Sequence, residues 1–264
     1  MSSILVGVFV LARRQAAAQR KLAGRLAVEH EQGRRLEELS RLKADFTAMI
    51  AHELGMPLAA IRALATLLAT GELEPPAAAH TLTQIQAEVD VLTALVADVG
   101  AAAAVEREDF ALHVRRVPVT TLLADAVAFA HTLPGAALVT VSGDMDGLVR
   151  ADAERIGQVL RNLLSNAAKY APPGAPIELR AECRGDRIRL EVADCGPGVA
   201  PEDVHLIFEK FGRGRAHGTR PIAGAGLGLY VSRRIVRAHG AGDLLVAPNP
   251  GGGAVFAFEL ARAD

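Results

Sequence analysis

The strongest constraint on the fold of this chain is a helical apolar pattern that begins near residue 46. Its apolar residues recur at alternating steps of four and three, at Ile50, Leu54, Pro57, Ile61, Leu64 and Leu68. This spacing is typical of a helix that packs in a bundle or a coiled coil. His52 and Glu53 lie off this seam, so packing does not explain the histidine. It is either a solvated surface residue or a reactive group, and the rest of the chain decides between the two.

A second segment with the same periodicity follows after a short turn. Gly71 is suited to end the first helix, and Pro75 and Pro76 are suited to begin the second. The second helix carries apolar residues at steps of three and four, at Leu82, Ile85, Val89, Leu92, Val96 and Val99. Two such helices form an αα-hairpin. Because a lone hairpin buries too little apolar surface, we expect two copies to pair in a four-helix bundle, which predicts a homodimer.

Composition excludes several classes of protein. Lys and Arg number 29 and Asp and Glu number 30, and this balance argues against a nucleic-acid binder. Half of the residues are hydrophobic, so the chain has enough apolar surface for a real core. Cys183 and Cys195 are too few for a disulfide framework and lack the spacing of a zinc site. A reducing, cytoplasmic setting fits this cysteine usage.

The N-terminal segment, residues 1–12, leaves three interpretations open. Residues 4–12 are continuously apolar and are followed by Arg13 and Arg14. A membrane-spanning helix needs roughly 20 apolar residues, so this run is too short by itself. It is the end of a truncated membrane span, a short anchor with a positively charged flank, or an apolar terminus without a membrane role, and the first two are favoured. Residues 13–40 lack proline and are interpreted as a helical connector.

The pattern changes from helical to mixed after residue 105. The charged residues 106–109 mark the predicted boundary between a helical domain over 41–105 and a second domain over 110–264. In the second domain the sequence predicts strands over 112–117, 137–141, 177–183, 187–193, 244–247 and 254–260. It predicts helices over 119–130, 153–170 and 227–239. We therefore expect an α/β sandwich with helices on one face of a single sheet.

The helix predicted over 153–170 carries polar groups suited to phosphate and metal. Asn162 and Asn166 are four residues apart and share one face, and Lys169 and Tyr170 follow within a turn. Neutral amides can hold magnesium and phosphate oxygens without adding anionic repulsion, and one Asn suffices when phosphates supply the other ligands. Taken alone, these side chains favour a helix whose polar residues simply face water.

A second motif follows the strand predicted over 187–193. Asp194 ends this strand, and Gly196 and Gly198 follow in a turn. A carboxylate at this position can accept a hydrogen bond from the exocyclic amine of adenine, while glycines permit close approach of the backbone. Taken alone, an aspartate that begins an ordinary turn explains the same residues.

Two further motifs flank a stretch that reads as a mobile loop. Residues 207–213 contain Phe208, Phe211 and Arg213. A glycine-rich segment leads directly into the last helix, and it contains Gly224, Gly226, Leu227, Gly228 and Leu229. Glycine N–H groups and the helix N-terminus favour a bound phosphate. No strand immediately precedes this segment, which excludes a dinucleotide fingerprint of the βαβ type.

In this order and spacing, the motifs resemble the two-component sensor histidine kinases from about residue 39 to the C-terminus. His52 and Glu53 match the H box of that family. The other matches are Asn162, Asn166, Lys169 and Tyr170 for the N box, Asp194, Gly196 and Gly198 for the G1 box, Phe208 and Phe211 for the F box, and Gly224, Gly226 and Gly228 for the G2 box.

The resemblance implies a helical-hairpin domain of the HisKA type that forms a dimeric four-helix bundle, followed by an ATP-binding domain with the Bergerat fold. It implies ATP and Mg²⁺ as cofactors, with Asn166 on the metal and Asp194 on adenine. It also implies a homodimer, a response-regulator receiver domain as partner, and a cytoplasmic kinase region that the N-terminal apolar segment would attach to the inner face of the membrane.

The implied activity is ATP-dependent autophosphorylation of His52, followed by phosphoryl transfer to an aspartate of a response regulator. Glu53 would hold or accept a proton of the imidazole, and Lys169 and Arg213 would contact phosphate. Met56 stands where the family usually has a polar residue that orients water, so we expect weak or absent phosphatase activity. The alternatives are a nucleotide-binding pseudokinase or scaffold that signals by conformation and, less favoured, another ATPase of the Bergerat fold.

Overall fold

The computed structural model describes residues 2–107, 110–133, 138–212, 214, 226–240 and 242–263. Side chains before residue 30, and a few between residues 38 and 45, lie outside the description. The chain divides into two compact units, Met1–His52 and Glu53–Asp264. The predicted site falls in both units, with His52 at the end of the first.

Helix α1 spans Ser2–Ala69 and contains both the predicted connector and the predicted histidine helix. Exposure along it follows the predicted seam. Pro57 is buried, and the other five seam residues are each partly shielded, whereas His52 and Met56 are exposed. Phe46–Ala69 is the one helical segment within the described ranges that is long and apolar enough to span a membrane by length and composition. That segment is the one with the bundle seam, so its apolar character already has a packing explanation.

Helix α2 spans Pro75–Val105, with prolines in its first two positions as predicted. Proline fits there because the first N–H groups of a helix have no intrahelical acceptor. Gly71 has φ of 69° and ends α1 as predicted. Leu82, Val89 and Val96 follow one another at intervals of seven residues and are 54%, 46% and 63% exposed in the single chain. This row is an apolar stripe along α2.

The second part of the chain forms one seven-stranded sheet. Its strands are β1 (Arg115–Pro118), β2 (Val139–Gly143), β3 (Leu148–Ala151), β4 (Ile177–Arg184), β5 (Arg187–Ala193), β6 (Leu245–Pro248) and β7 (Ala254–Ala263). The order is β1-β3-β7-β5-β4-β2, and β6 pairs with β7. Only the β2–β4 pair is parallel among the described strands.

Strand alternation separates the core face of the sheet from the ionic face. On β4, β5 and β7 the alternate apolar side chains are buried: Ile177, Leu179, Ala181, Ile188, Leu190, Val192, Phe256, Phe258 and Leu260. The intervening positions of β4 and β5 are charged, and their arginines pair with glutamates. On this face, hydrogen bonds from Arg180 and Ser142 lower the pKa of Glu178 to about 2.

Three helices accompany the sheet: α3 (Val119–Ala130), α4 (Ala153–Tyr170) and α5 (Gly228–Ala238). Their apolar faces are buried together with the apolar face of the sheet. The expected α/β sandwich is therefore confirmed. Helices 119–130 and 153–170 begin and end where the sequence predicts, because each has a clear apolar face.

Several predicted elements were wrong in extent. The strand expected over 112–117 begins only at Arg115, and β3 was not predicted at all. Two short 3-10 helices, Pro201–Asp203 and Leu206–Phe208, were also missed. All of these elements are four residues or shorter, so too few positions repeat for a period to be read.

The start of α4 and the end of α5 are joined by one hydrogen-bonded aspartate. The side chain of Asp152 caps α4 by accepting from the N–H of Arg155 at 3.2 Å, and it accepts from the N–H of His113 at 2.9 Å. Its own N–H donates to Nε2 of His239 at 3.0 Å, which follows α5. Although burial raises it, these hydrogen bonds leave the pKa of Asp152 below its usual value.

A second aspartate clamps the other side of α5. Each oxygen of Asp243 accepts from both Arg233 and Arg237, at distances of 2.7–3.0 Å. Arg233 also stands over the ring of Phe208 at 5.0 Å. The hydrogen bonds from the two guanidinium groups hold the pKa of Asp243 well below its usual range. This clamp fixes the end of α5 against the segment that leads to β6.

We expect Asp243→Asn to lower the free energy of unfolding by about 1–3 kcal/mol at pH 7, because it removes charge-assisted hydrogen bonds. The folded-state pKa of Asp243 is depressed, so its contribution is complete above the unfolded-state value near 4 and is lost as the pH falls below it. In urea unfolding, the difference between wild type and variant should therefore shrink from pH 6 to pH 3. Asp186→Asn, in the exposed turn after β4, is the control. A difference that stays constant over this range would contradict the assignment.

Candidate functional site

Asn162 on α4 lies against Gly228 at the start of α5. A Cβ at position 228 would lie 2.3 Å from Oδ1 of Asn162, so a side chain there would displace the Asn162 amide. The Nδ2 of Asn162 donates to the hydroxyl of Ser232 at 2.9 Å, one turn further along α5. Asn162 thus holds the two helices together. Ser232 is fully buried and was missed by sequence reasoning, since a serine within an amphipathic helix carries no signal.

The remaining polar residues of α4 lie nearer its C-terminal end. Asn166 is half-buried, while Lys169 and Tyr170 are exposed. Within the described ranges the amide of Asn166 makes no hydrogen bond, so its oxygen is available to a ligand. Lys169 also acts on helix α2: burial raises the pKa of Asp98, and the charge of Lys169 partly offsets this.

Asp194 follows β5 and is buried, with 6% of its surface exposed. Its Oδ1 accepts from the N–H of Gly196 at 2.8 Å and from the N–H of Ala254 at 3.2 Å. Burial raises the pKa of Asp194, and these two hydrogen bonds partly offset the rise. Both bonds go to one oxygen, which leaves Oδ2 as an acceptor for a ligand donor such as an adenine amine.

The turn between β6 and β7 encloses Asp194 and was not predicted as part of the site. Asn249 donates from Nδ2 to the carbonyl of Asp194 at 2.9 Å. Gly253 has φ of 100°, and a Cβ there would lie 2.0 Å from the same carbonyl. Gly198 in turn lies against the Gly253 carbonyl, and Gly196 lies against the carbonyl of Tyr170. The glycine run at 251–253 is a turn signal in the sequence, but nothing local to it points to Asp194.

The F-box phenylalanines occupy different positions. Phe208 is buried and meets Phe256 edge-on, with ring centroids 6.4 Å apart. Phe211 has φ of 69°, a strained backbone for a side chain of this size. Its N–H donates to the carbonyl of Gly226 at 3.1 Å, which brings together the two ends of the segment between them. The predicted residues Arg213 and Gly224 belong to that segment and lie outside the described residues.

The glycine-rich motif continues into α5. Leu227 is fully buried immediately before the helix, and Leu229 is half-buried in its first turn. Gly226 has φ of 65°, with a Cβ position only 3.0 Å from the backbone of Phe211. The first N–H groups of α5 therefore lie beside the hydrogen bond between Phe211 and Gly226.

Glu106, directly after α2, contacts residues on both sides of the hydrogen bond between Phe211 and Gly226. Its Oε1 accepts from Nζ of Lys210 at 2.6 Å and from the hydroxyl of Tyr230 at 3.0 Å. Although burial raises it, these partners leave the pKa of Glu106 below its usual value. A guanidinium N–H of Arg234 donates to the carbonyl of Val105 at 3.3 Å. The end of α2 is thus bonded to the residues that flank the predicted loop.

The H-box residues are described on helix α1 alone. His52 is exposed and Glu53 is half-buried. The imidazole is accessible to a reactant, as the sequence pattern predicts for a residue off the seam.

The sequence analysis places magnesium on Asn166. The described residues can be compared with the ligands that magnesium needs. No group of three or more His, Cys, Asp or Glu that could hold a metal ion occurs among the described residues. Asn166 provides one neutral oxygen. Magnesium retains water and takes few protein ligands where phosphates supply the rest. The residues therefore fit a magnesium ion that binds together with a nucleotide, and not one held by protein groups alone.

Two family models match the chain. The His Kinase A (phospho-acceptor) domain matches residues 42–104, and the histidine kinase-, DNA gyrase B- and HSP90-like ATPase matches residues 151–264. The first match contains His52 and the second contains the asparagines, Asp194 and the glycines. The chain belongs to the histidine kinase family.

This histidine kinase is 32% identical to the signal transduction histidine-protein kinase BaeS of Escherichia coli over 242 residues, which is 90% of the chain. It spans about half the length of that curated relative, 51%. The structure of full-length ShkA in complex with AMPPNP is 30% identical, with a TM-score of 0.57 over 82% of this chain and 46% of ShkA. The histidine kinase AdeS of Acinetobacter baumannii is 25% identical, with a TM-score of 0.62 over 81% of this chain and 98% of AdeS.

We expect Gly228→Ala to lower the free energy of unfolding by about 1–3 kcal/mol, because the new methyl displaces the Asn162 amide. Asn162→Ala removes the obstructing atoms, so the double variant should be less destabilised than the sum of the two single variants. Urea unfolding of the four proteins measures this coupling. Gly100→Ala, on α2 where nothing lies within 4 Å, is the control and should be neutral or stabilising. Additive effects would contradict the proposed contact.

Proposed function

We propose that this histidine kinase transfers the γ-phosphoryl group of ATP to His52 and then to an aspartate of a response-regulator receiver domain. Three observations carry the proposal: Oδ2 of Asp194 and the amide of Asn166 make no hydrogen bond among the described residues, and helix α5 begins with N–H groups that have no intrahelical acceptor. The proposed domains are a phosphotransfer domain over 41–105 and an ATP-binding domain over 110–264.

The proposed nucleotide site divides into a base end and a phosphate end. At the base end, Oδ2 of Asp194 would accept from the adenine amine, with Gly196 and Gly198 allowing the ring to approach the backbone. At the phosphate end, the N–H groups of Gly228 and Leu229 would bind phosphate oxygens at a helix N-terminus. The AMPPNP bound to the related ShkA supports a nucleotide at this site.

The proposed chemistry is an in-line phosphoryl transfer. One imidazole nitrogen of His52 forms a bond to the γ-phosphorus while the bond to the β,γ-bridging oxygen breaks and ADP leaves. Glu53 accepts the proton of the other ring nitrogen. Magnesium, held by Asn166 and the phosphates, would neutralise charge on the phosphate oxygens, and Lys169 and Arg213 would contact the same group.

A homodimer and a membrane attachment complete the proposal. The apolar stripe of Leu82, Val89 and Val96 is exposed in the single chain and has the heptad spacing that two copies of α2 need to pack together. The kinase region would lie in the cytoplasm, attached to the inner face of the membrane through residues 4–12.

A pseudokinase or scaffold is not supported, since the match to the phospho-acceptor domain contains an exposed histidine.

We expect the purified chain to become labelled by γ-labelled ATP with magnesium, in a form that is acid-labile and base-stable. His52→Gln should abolish the label while leaving nucleotide binding intact. His80→Gln, which changes another exposed histidine on α2, is the matched control and should retain the label. Label that persists in the His52 variant, or that disappears from the His80 variant instead, would contradict the proposal.

We also expect that the wild-type protein, with nucleotide present, does not accelerate the loss of phosphate from a phosphorylated receiver domain. Met56 is 48% exposed and its thioether cannot orient a water strongly. Met56→Thr supplies a hydroxyl and should accelerate loss of phosphate from the partner, whereas Leu58→Thr on the same helix should not. Rapid dephosphorylation by the wild type would refute this expectation.

A further inference from the structure

We propose that Asn249, in the turn between β6 and β7, is a positioning residue that makes the nucleotide site selective for a base with an exocyclic amine. It acts through Asp194, because its side-chain amide donates to the main-chain carbonyl of that residue at 2.9 Å. Asn249 lies outside every motif identified from the sequence. The inference rests on the proposed function, in which Oδ2 of Asp194 accepts a hydrogen bond from the adenine amine.

The hydrogen-bond ladder between β5 and β7 is diverted at Asp194. The last paired residues are Ala193 and Val255, so Asp194 stands opposite Ala254. The N–H of Asp194 donates to the carbonyl of Ala254 at 2.9 Å, which is one of the two bonds that residues of such a pair exchange. The second bond would run from the N–H of Ala254 to the carbonyl of Asp194. That N–H instead donates to the carboxylate oxygen Oδ1 of Asp194 at 3.2 Å, and the carbonyl loses its strand partner.

Asn249 supplies the donor that the ladder no longer provides. Its Nδ2 is the one donor to the carbonyl of Asp194 within the described ranges. Asp194 is buried, and a buried carbonyl without a donor is unfavourable. Because Asn249 satisfies this carbonyl, the N–H of Ala254 can fix Oδ1, which leaves Oδ2 as the acceptor for a ligand. The Asn249 amide thus controls the orientation of the carboxylate, although its own hydrogen bond is to the main chain.

The backbone of the turn holds Asn249 in place. The N–H of Asn249 donates to the carbonyl of Gly253 at 3.0 Å, and its carbonyl accepts from the N–H of Gly252 at 2.9 Å. Gly252 and Gly253 have φ of 90° and 100°, a backbone conformation that favours glycine. A Cβ at position 253 would overlap the carbonyl of Asp194. The turn therefore brings both the Asn249 amide and its own backbone against that carbonyl.

A fixed acceptor makes the site selective for the base. A carboxylate held at Oδ1 presents Oδ2 in one direction, whereas a carboxylate that rotates must be ordered when the ligand binds. A site built to hydrogen-bond a group of its substrate rejects an analogue without that group, because the buried acceptor is then left unpaired. We therefore expect Asn249 to act on affinity through the base amine, and not through the phosphates at the start of α5.

The test is calorimetric titration of the 264-residue chain with ADP and with purine riboside 5′-diphosphate, which lacks the exocyclic amine. The wild type should bind ADP about tenfold or more tightly than the analogue. Asn249→Ala should reduce this preference to about threefold or less, with unchanged affinity for the analogue. Gly251→Ala, in the same turn with nothing within 4 Å of the new methyl, should keep the wild-type preference. Asp194→Asn should abolish the preference, and Asn249→Ala should then have no further effect on it.

A spectroscopic measurement tests the same mechanism without a ligand. In the wild type, the amide proton resonances of Ala254 and Gly196 should both shift as Asp194 titrates, because both N–H groups donate to its Oδ1. In Asn249→Ala the N–H of Ala254 should return to the carbonyl of Asp194, so its resonance should stop following the carboxylate. The Gly196 resonance should still follow it. A shift of the Ala254 resonance that persists in the variant would overturn the proposal.

The titration outcomes separate this proposal from the proposed function. Equal loss of affinity for ADP and for the analogue in Asn249→Ala would show that the turn is merely structural, and it would overturn the positioning role alone. The same holds for a preference that Asn249→Ala leaves unchanged, and for a wild type that binds both nucleotides equally. A wild type that binds neither nucleotide would refute the proposed nucleotide site, and this proposal with it.

Discussion

Helix α4 lies so close to the start of α5 that the Asn162 amide fills the space a side chain at position 228 would need. This contact fixes the distance between the asparagine face of α4 and the N-terminal N–H groups of α5, the two surfaces between which the phosphates would lie. Asp152 and His239 join the opposite ends of the same two helices. Helix α5 is therefore held near both of its ends and α4 at its start and its middle, so packing sets the spacing of the proposed phosphate end.

The base end depends on a different kind of constraint. Asp194 is buried, and its carbonyl and one carboxylate oxygen are already bonded to the β6–β7 turn and to the backbone. A buried carboxylate is unfavourable unless such partners compensate for lost hydration. The partners here use Oδ1 and leave Oδ2 without a hydrogen bond among the described residues. The aspartate is thus oriented as an acceptor at the expense of some stability, which the rise of its pKa reflects.

The sequence predicts the features that neighbouring residues determine, and it does not predict contacts between residues that are far apart in the chain. Helices 119–130 and 153–170 were predicted to the residue because their apolar faces repeat over several turns. The motif residues Asn162, Asp194 and Gly228 were identified because each stands beside a recognisable strand or helix end. Ser232, Asn249 and Gly253 were missed, although they hold those residues in place. Their partners are 55 to 70 residues away in the chain, or on a turn with no distinguishing composition, and only the folded topology brings them together.

The carboxylate of Glu106, directly after α2, is bonded to two residues of the ATPase match, Lys210 and Tyr230. The ionic side chains are 35% and 40% exposed, and an ion pair of that kind contributes only about 0–1 kcal/mol. The hydroxyl of Tyr230 donates to the carboxylate and the guanidinium of Arg234 donates to a carbonyl, so each of these bonds has one charged partner and is stronger than a neutral hydrogen bond. These polar bonds are not the whole contact, because α2 also packs against α5 and buries Ala102 and Val105 near its end. Lys210 and Tyr230 lie on either side of the hydrogen bond between Phe211 and Gly226. The end of α2 is thus linked to both sides of that hydrogen bond through the carboxylate of Glu106.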